Sequence, residues 1–216
     1  MDPLRLCISI CPLAAYLMVL GVLNIRKHPF LTTGTRDLVA LSLAVSGMMF
    51  TGPIALFMPG EAAVFFGFYA WVMMLGIYFL LVIFISLMQR PRLVIYNISV
   101  EQLKPILRDI AAKIDPEARW RGDALYMPGI SVHFVVEDVP AMRNVQLKSV
   151  GPNQSYMAWV RLKMALLFAL RQEATIPNSY GYSLIVFASV MFTLVGYEIF
   201  RQPELVKIAW NEIMFL

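Results

Sequence analysis

Four stretches of the chain are predominantly apolar over the roughly 20 residues that a helix needs to cross the hydrocarbon core of a bilayer. They cover residues 6–23, 38–58, 62–88 and 180–200. The third is longer than a span requires, so it tilts or runs into the aqueous phase near Ser86 and Gln89. Over residues 89–176 the pattern changes, and periods of 2 and 3.6 replace continuous apolarity. Leu93, Val94, Ile95 and Tyr96 form a short apolar run, as in a central strand buried on both faces. Ser99, with Gln102 three residues on, reads as a capping box, and Leu103, Ile106, Leu107 and Ile110 follow as one stripe at helical spacing. A helix is therefore predicted over residues 100–114. Pro105 lies inside it and predicts a bend or a delayed start, because it lacks a backbone donor.

Gly122-Asp123, Pro128-Gly129 and Asp138-Val139-Pro140 are turn signals that separate three or four short strands. Ile130, Val132, Phe134 and Val136 alternate with Ser131, His133, Val135 and Glu137, the mark of a strand with one buried and one wet face. Val145 and Leu147 repeat the pattern against Asn144, Gln146 and Lys148. A second helix, over residues 155–172, carries two apolar stripes. Trp159, Leu162, Leu166 and Leu170, with Ala158, Ala165 and Ala169, suffice to pack on a sheet. Met157, Val160, Met164, Leu167 and Phe168 lie on another face, interrupted by Arg161, Lys163 and Arg171. One apolar face is enough for a helix on a soluble domain, so the second implies a cover by membrane, by the chain's own helices or by another protein.

The predicted fold class is a membrane α-helical protein of four transmembrane helices, with a small inserted α+β cytoplasmic domain in β-α-β-β-β-α order. Residues 1–88 form a three-helix membrane region, residues 89–176 the domain and residues 177–200 the fourth helix. Residues 201–216 form an interfacial amphipathic tail with Leu205, Val206, Ala209, Trp210 and Ile213 near one side. Composition supports the bilayer as solvent: 59% of the 216 residues are hydrophobic and only 15% charged. The 14 Phe and 14 Met also exclude intrinsic disorder. Net charge is +4, and its placement sets the expected orientation. Arg26, Lys27 and Arg36 follow the first span and Arg90 and Arg92 the third, whereas Pro59-Gly60-Glu61 between the second and third holds no base. Both basic segments are then cytoplasmic, which puts both termini outside. The expected location is a bacterial inner (plasma) membrane. A cleaved signal peptide is a poor account of the start, because the positive charge follows the first apolar run, which is read as a retained helix.

Chemistry is harder to find. No acid, His or Lys falls at mid-membrane depth, where such groups are usually functional. Arg36, Asp37, Glu61 and Glu198 all sit at span ends. Gly52-Pro53 is a candidate helix break, read as a kink or an early helix end ahead of a transporter-like binding site. Cys7 and Cys11 share a helix face without a His or acid nearby, which favours packing over a metal shell, and His28 and His133 lack a partner at ligand spacing. Dinucleotide, P-loop, nucleophile-elbow and zincin motifs are missing from the sequence. No cofactor and no metal are expected, and the basic residues lack the clustering of a nucleic-acid face.

The expected function is a non-catalytic structural or accessory subunit of a larger membrane complex. Its partners would be other membrane protein subunits or copies of itself, together with the lipid bilayer, anionic lipids included. The candidate contact residues are Met157, Val160, Arg161, Lys163, Met164, Leu167, Phe168, Arg171 and Trp210. A lipid-interacting or transport-related protein is the alternative, and an enzyme with an unfamiliar site in the α+β domain is a third. The orientation has a direct test, since Cys7 and Cys11 are the only thiols. In a chain carrying Cys7→Ser, Cys11→Ser and Ser131→Cys, an impermeant maleimide should label the single thiol only after intact cells are permeabilised. Labelling without permeabilisation would reverse the orientation.

Overall fold

Helix α1 (Pro3–Ile25), α3 (Phe68–Met88) and α6 (Ser179–Arg201) are long and apolar enough to cross a membrane, with mean hydropathies of 2.4, 2.5 and 1.9 over their most apolar 18 residues. Only 17%, 11% and 11% of those stretches is buried by the chain itself, so most of their apolar surface needs an apolar solvent. The structure, a computed structural model, describes residues 2–54, 56, 65–139, 142–152 and 154–214. Among these residues three helices, not the four expected, meet the length and apolarity of a span. Within the predicted second span, α2 (Gly34–Met49) runs for 16 residues, about 24 Å at 1.5 Å per residue. It then passes into a π-helical turn, Phe50–Ile54, that contains Gly52 and Pro53. Pro53 has no amide hydrogen to return to the carbonyl of Met49, so the α-helical pattern is interrupted there, and Leu56 is again α-helical. The predicted turn at Pro59-Gly60-Glu61 lies outside the described residues.

The chain divides into two units. One comprises Met1–Val19, Leu38–Met88 and Leu184–Leu216; the other comprises Leu20–Asp37 and Gln89–Ser183. In the first, α1 and α2 meet at a glycine. Pro12 leaves the Ile8 carbonyl without its helical donor, and Gly47 packs against that oxygen so closely that a Cβ on Gly47 would lie 1.8 Å from it. Tyr78 Oη donates to the Ser42 carbonyl at 2.8 Å, and the Phe50 and Trp71 rings meet at a 38° tilt with centroids 4.5 Å apart. Helix α7 (Pro203–Met214) buries Ala209 and exposes Leu205, Ile208 and Trp210.

The second unit is a six-stranded antiparallel sheet in the order β1-β2-β6-β5-β4-β3. The strands are β1 (Phe30–Thr33), β2 (Arg92–Tyr96), β3 (Arg119–Arg121), β4 (Ala124–Met127), β5 (Val132–Val139) and β6 (Asn144–Ser149). Helices α4 (Val100–Ile114) and α5 (Tyr156–Gln172) contribute to one core with the sheet. Leu93, Ile95, Phe134 and Leu147 of the sheet meet Leu103 and Leu107 of α4 and Trp159, Leu162 and Leu166 of α5. Each fully buried side chain of this size contributes about 1.5–3 kcal/mol.

Helix α4 starts at Val100 with the predicted capping box of Ser99 and Gln102, so Pro105 does not delay it. Glu101 in its first turn has its carboxyl held below the ordinary range by its own backbone amide and by Ser99. The helix ends at Asp115, a buried carboxylate that accepts from the amides of Glu117 at 3.0 Å and Gly129 at 2.8 Å.

Two strands depart from the predicted β-α-β-β-β-α order. Four strands, β3 to β6, lie between the two helices; β3 is a short Arg-Trp-Arg whose half-buried Trp120 packs on the core between two exposed arginines, too short a pattern to reveal it. The loop after α1 supplies β1, which pairs with β2 from Phe30 opposite Tyr96 to Thr33 opposite Leu93. That join is reinforced where Tyr96 Oη donates to the Asp37 carboxylate and where Arg92 packs across Gly34.

Gly47 and Gly52 make opposite predictions. Gly47→Leu forces a side chain onto the Ile8 backbone and should cost more than about 3 kcal/mol, read as loss of the thermal transition in neutral detergent. A Cβ on Gly52 meets nothing within 4 Å, so Gly52→Ala should hold stability within about 0.5 kcal/mol of wild type. Equal losses in both would refute the close approach.

Candidate functional site

Within the sheet unit, α1 ends at Ile25 and is followed by Arg26, Lys27, His28 and Pro29, which disfavours helix for the residue before it. Asn97, directly after β2, takes a left-handed conformation with φ +60°, which Asn tolerates better than most residues. From there its fully buried side chain donates to the Arg26 carbonyl at 2.6 Å and to Thr175 Oγ1 at 3.0 Å.

Thr175 belongs to the six-residue strap, residues 173–178, between α5 and α6. Its amide donates to the Lys27 carbonyl at 2.7 Å. His28 Nδ1 donates to the Glu173 carbonyl at 2.9 Å, since a carbonyl only accepts. Arg143 donates to the Ile176 carbonyl at 2.8 Å and to Gln102 at 3.2 Å. The Asn178 amide reaches the Asn24 carbonyl at 3.0 Å, and Asn24 Nδ2 donates back to Leu20 at 2.9 Å. Asn24, Asn97, Thr175 and Asn178 are all buried. Gly181 packs on this junction, where a Cβ would lie 2.8 Å from the Gly21 carbonyl.

These bonds turn carbonyls inward and leave the side chains of the loop to line a cavity of about 470 Å³. Arg26, Lys27, His28 and Arg171 supply its polar lining, and Pro29, Phe30, Leu31, Leu167 and Leu170 its apolar one. No acidic side chain lines it, and none of Arg26, Lys27 and Arg171 makes an ion pair among the described residues. The arrangement can bind an anion; it offers no nucleophile paired with a base.

A smaller cavity of about 220 Å³ is lined by Gln89, Arg90, Pro91, Arg92, Lys148 and Ser149, but Glu137 neutralises Lys148 there. A groove of about 440 Å³ in the other unit, lined by Cys7, Cys11, Gly47 and Phe79 among others, is almost wholly apolar.

The candidate contact residues fall into three places. Met157, Val160, Met164 and Phe168 lie exposed on α5, 67%, 37%, 62% and 70% accessible, while the other stripe of the same helix is buried. Arg161 is exposed beside them and Lys163 half-buried. Leu167 and Arg171 instead line the basic cavity. Trp210 and the Gly52-Pro53 turn belong to the other unit. His133 is half-buried against Tyr126, with ring centroids 5.3 Å apart, and no group of three His, Cys, Asp or Glu residues able to hold a metal occurs among the described residues.

Sequence reasoning missed Asn24, Asn97, Thr175 and Asn178. Their only local signals are an Asn in the last turn of an apolar span and an Asn directly after a buried strand. Comparison with family models, with curated proteins and with solved structures finds no match to this chain.

Asn97→Ala leaves the Arg26 carbonyl and the buried Thr175 hydroxyl without this donor and should lower stability by about 1–3 kcal/mol, measured by thermal unfolding of the solubilised chain. A variant that melts with wild type would show that the strap holds without this amide.

Proposed function

We propose that this chain is a non-catalytic accessory subunit of a larger membrane complex. Spanning the bilayer four times, it would carry both termini outside and the sheet domain in the cytoplasm of a bacterial plasma membrane. The observation that supports this reading is the outer face of α5. Met157, Val160, Met164 and Phe168 present large apolar side chains to solvent on a helix whose inner face already fills the core. Contiguous apolar surface of this kind marks a contact site, and methionine suits a face that must mould to its partner.

Arg161, Lys163 and Arg171 accompany this face, and α5 contains no acid. The complementary partner is therefore a protein helix with an apolar stripe flanked by Asp or Glu. The lipid-interacting alternative draws on a separate observation, the basic cavity at the end of the same helix.

Purification of the tagged full chain from its native membrane in mild detergent tests the accessory reading. Stoichiometric companions should accompany the wild type and be lost from a Met157→Ser, Met164→Ser, Phe168→Ser variant that keeps the wild-type melting temperature. A monomer would overturn the proposal. A homo-oligomer broken by the same substitutions would overturn it too, and would assign the face to a second copy.

A further inference from the structure

We propose that the cavity formed by Arg26, Lys27, His28 and Arg171 is a binding site for a phosphoryl group, presented by the headgroup of an anionic lipid or by a soluble phosphate ester. This inference deepens the lipid-interacting reading and is independent of any partner on the outer face of α5.

The structural competitor is that these cations only complement helix ends. Arg26 follows the last residue of α1, and Arg171 lies in the last turn of α5, where basic side chains offset the negative end of the helix dipole. Magnitudes separate the two accounts. Each helix C-terminus is equivalent to about half a negative charge, so two of them balance roughly one cation. Arg26, Lys27 and Arg171 bring three, none of which has a carboxylate partner among the described residues. An excess of about two positive charges remains, and a phosphate monoester at neutral pH carries about −1.5 to −2.

Geometry adds to charge. Two guanidinium groups offer planar forks suited to phosphate oxygens, and Lys27 adds a point charge. With Nδ1 committed to the Glu173 carbonyl, His28 has only Nε2 left for a ligand. Leu167 and Leu170 give the same cavity an apolar wall. A cationic rim over an apolar wall fits an amphiphile better than a bare ion. The loop also directly follows α1, one of the three membrane-length helices, as a headgroup site requires.

The test uses the full chain in a neutral detergent. Inorganic phosphate, glycerol 3-phosphate, and short-chain phosphatidic acid and phosphatidylcholine are each titrated by calorimetry. Phosphatidic acid should bind, phosphatidylcholine should not, and Arg26→Gln, Lys27→Gln, Arg171→Gln should weaken binding by at least about ten-fold. Arg161→Gln, Lys163→Gln removes two charges outside the cavity and should leave affinity within about two-fold of wild type.

Because carbonyls and not these side chains hold the loop, the triple variant should keep its melting temperature. Arg171→Gln alone, at the helix end, is the second reading should it not. Binding of glycerol 3-phosphate as tight as phosphatidic acid assigns the site to soluble esters, and binding of the lipid only assigns it to a headgroup. Undiminished binding in both the triple variant and Arg171→Gln would overturn the proposal. So would an equal loss in the Arg161, Lys163 control, which would reduce the effect to overall charge.

Discussion

The junction of the sheet with the ends of α1 and α6 depends on one buried amide, the side chain of Asn97. Asn97 follows β2 in a left-handed conformation, and its side chain serves two chain segments that are remote in sequence. One is the loop after α1 and the other the strap before α6. In a buried setting such donors cannot exchange a protein partner for water, so the carbonyl of Arg26 and the hydroxyl of Thr175 are held wherever the amide is held. Thr175 then fixes Lys27 through its own amide, and the Asn24–Asn178 pair repeats the arrangement a few residues further along both segments. The strap between α5 and α6 is six residues of irregular chain, yet the backbone of Glu173 and Ile176 bonds the side chains of His28 and Arg143, and that of Thr175 and Asn178 the carbonyls of Lys27 and Asn24. Its length carries none of the freedom that composition alone would allow a linker.

The chemistry of the cavity follows from that constraint. Three cations brought together without a carboxylate repel, and nothing in a flexible loop would keep them side by side. Here the repulsion is borne by hydrogen bonds made on the opposite side of the backbone. β1 does the rest: by pairing with β2 it places Leu31 in the core and so anchors the loop at its far end. The basic loop is a structural part of the sheet unit, and its backbone is fixed there.

Legibility in the sequence followed the source of each element's stability. β2, β6, α4 and α5 owe their place to a local apolar pattern and could be read from it, whereas β5 was legible in its buried face but not in its ends: Ile130 lies in a 3-10 turn before the strand, and Asp138 and Val139, expected in a turn, pair with β6. β1 and β3 have no such pattern. Phe-Leu-Thr-Thr becomes a strand because β2 offers it an edge, and Arg-Trp-Arg because β4 does. In the second apolar stretch the Gly52-Pro53 pair was legible as a kink or an early helix end, because a residue without an amide donor must interrupt the ladder, and a π turn stands there. The site was legible only in pieces. Arg26 and Lys27 read as flanking charges and Arg171 as the edge of a helix face; their meeting depends on β1 pairing and on four polar side chains that look ordinary one at a time.

Helix α5 carries two demands that sequence periodicity alone would not reconcile. Its inner stripe of Trp159, Leu162, Leu166 and Leu170 fixes the rotation of the helix on the sheet, and with rotation fixed the outer stripe has no freedom to hide. Met157, Val160, Met164 and Phe168 are exposed because the core has taken the only other face. A single slip about the axis would bury them and expose the tryptophan, which packs on Phe134 and donates to Gln154, so the slip would cost both contacts. Gln154 in turn bonds the backbone of His133 and Val150. The orientation of the apolar outer face is thus set from within, at the N-terminal end of α5 by Gln154 and at the C-terminal end by the clamped strap. Hydrogen bonds near both ends of the helix leave the direction in which this face points little freedom.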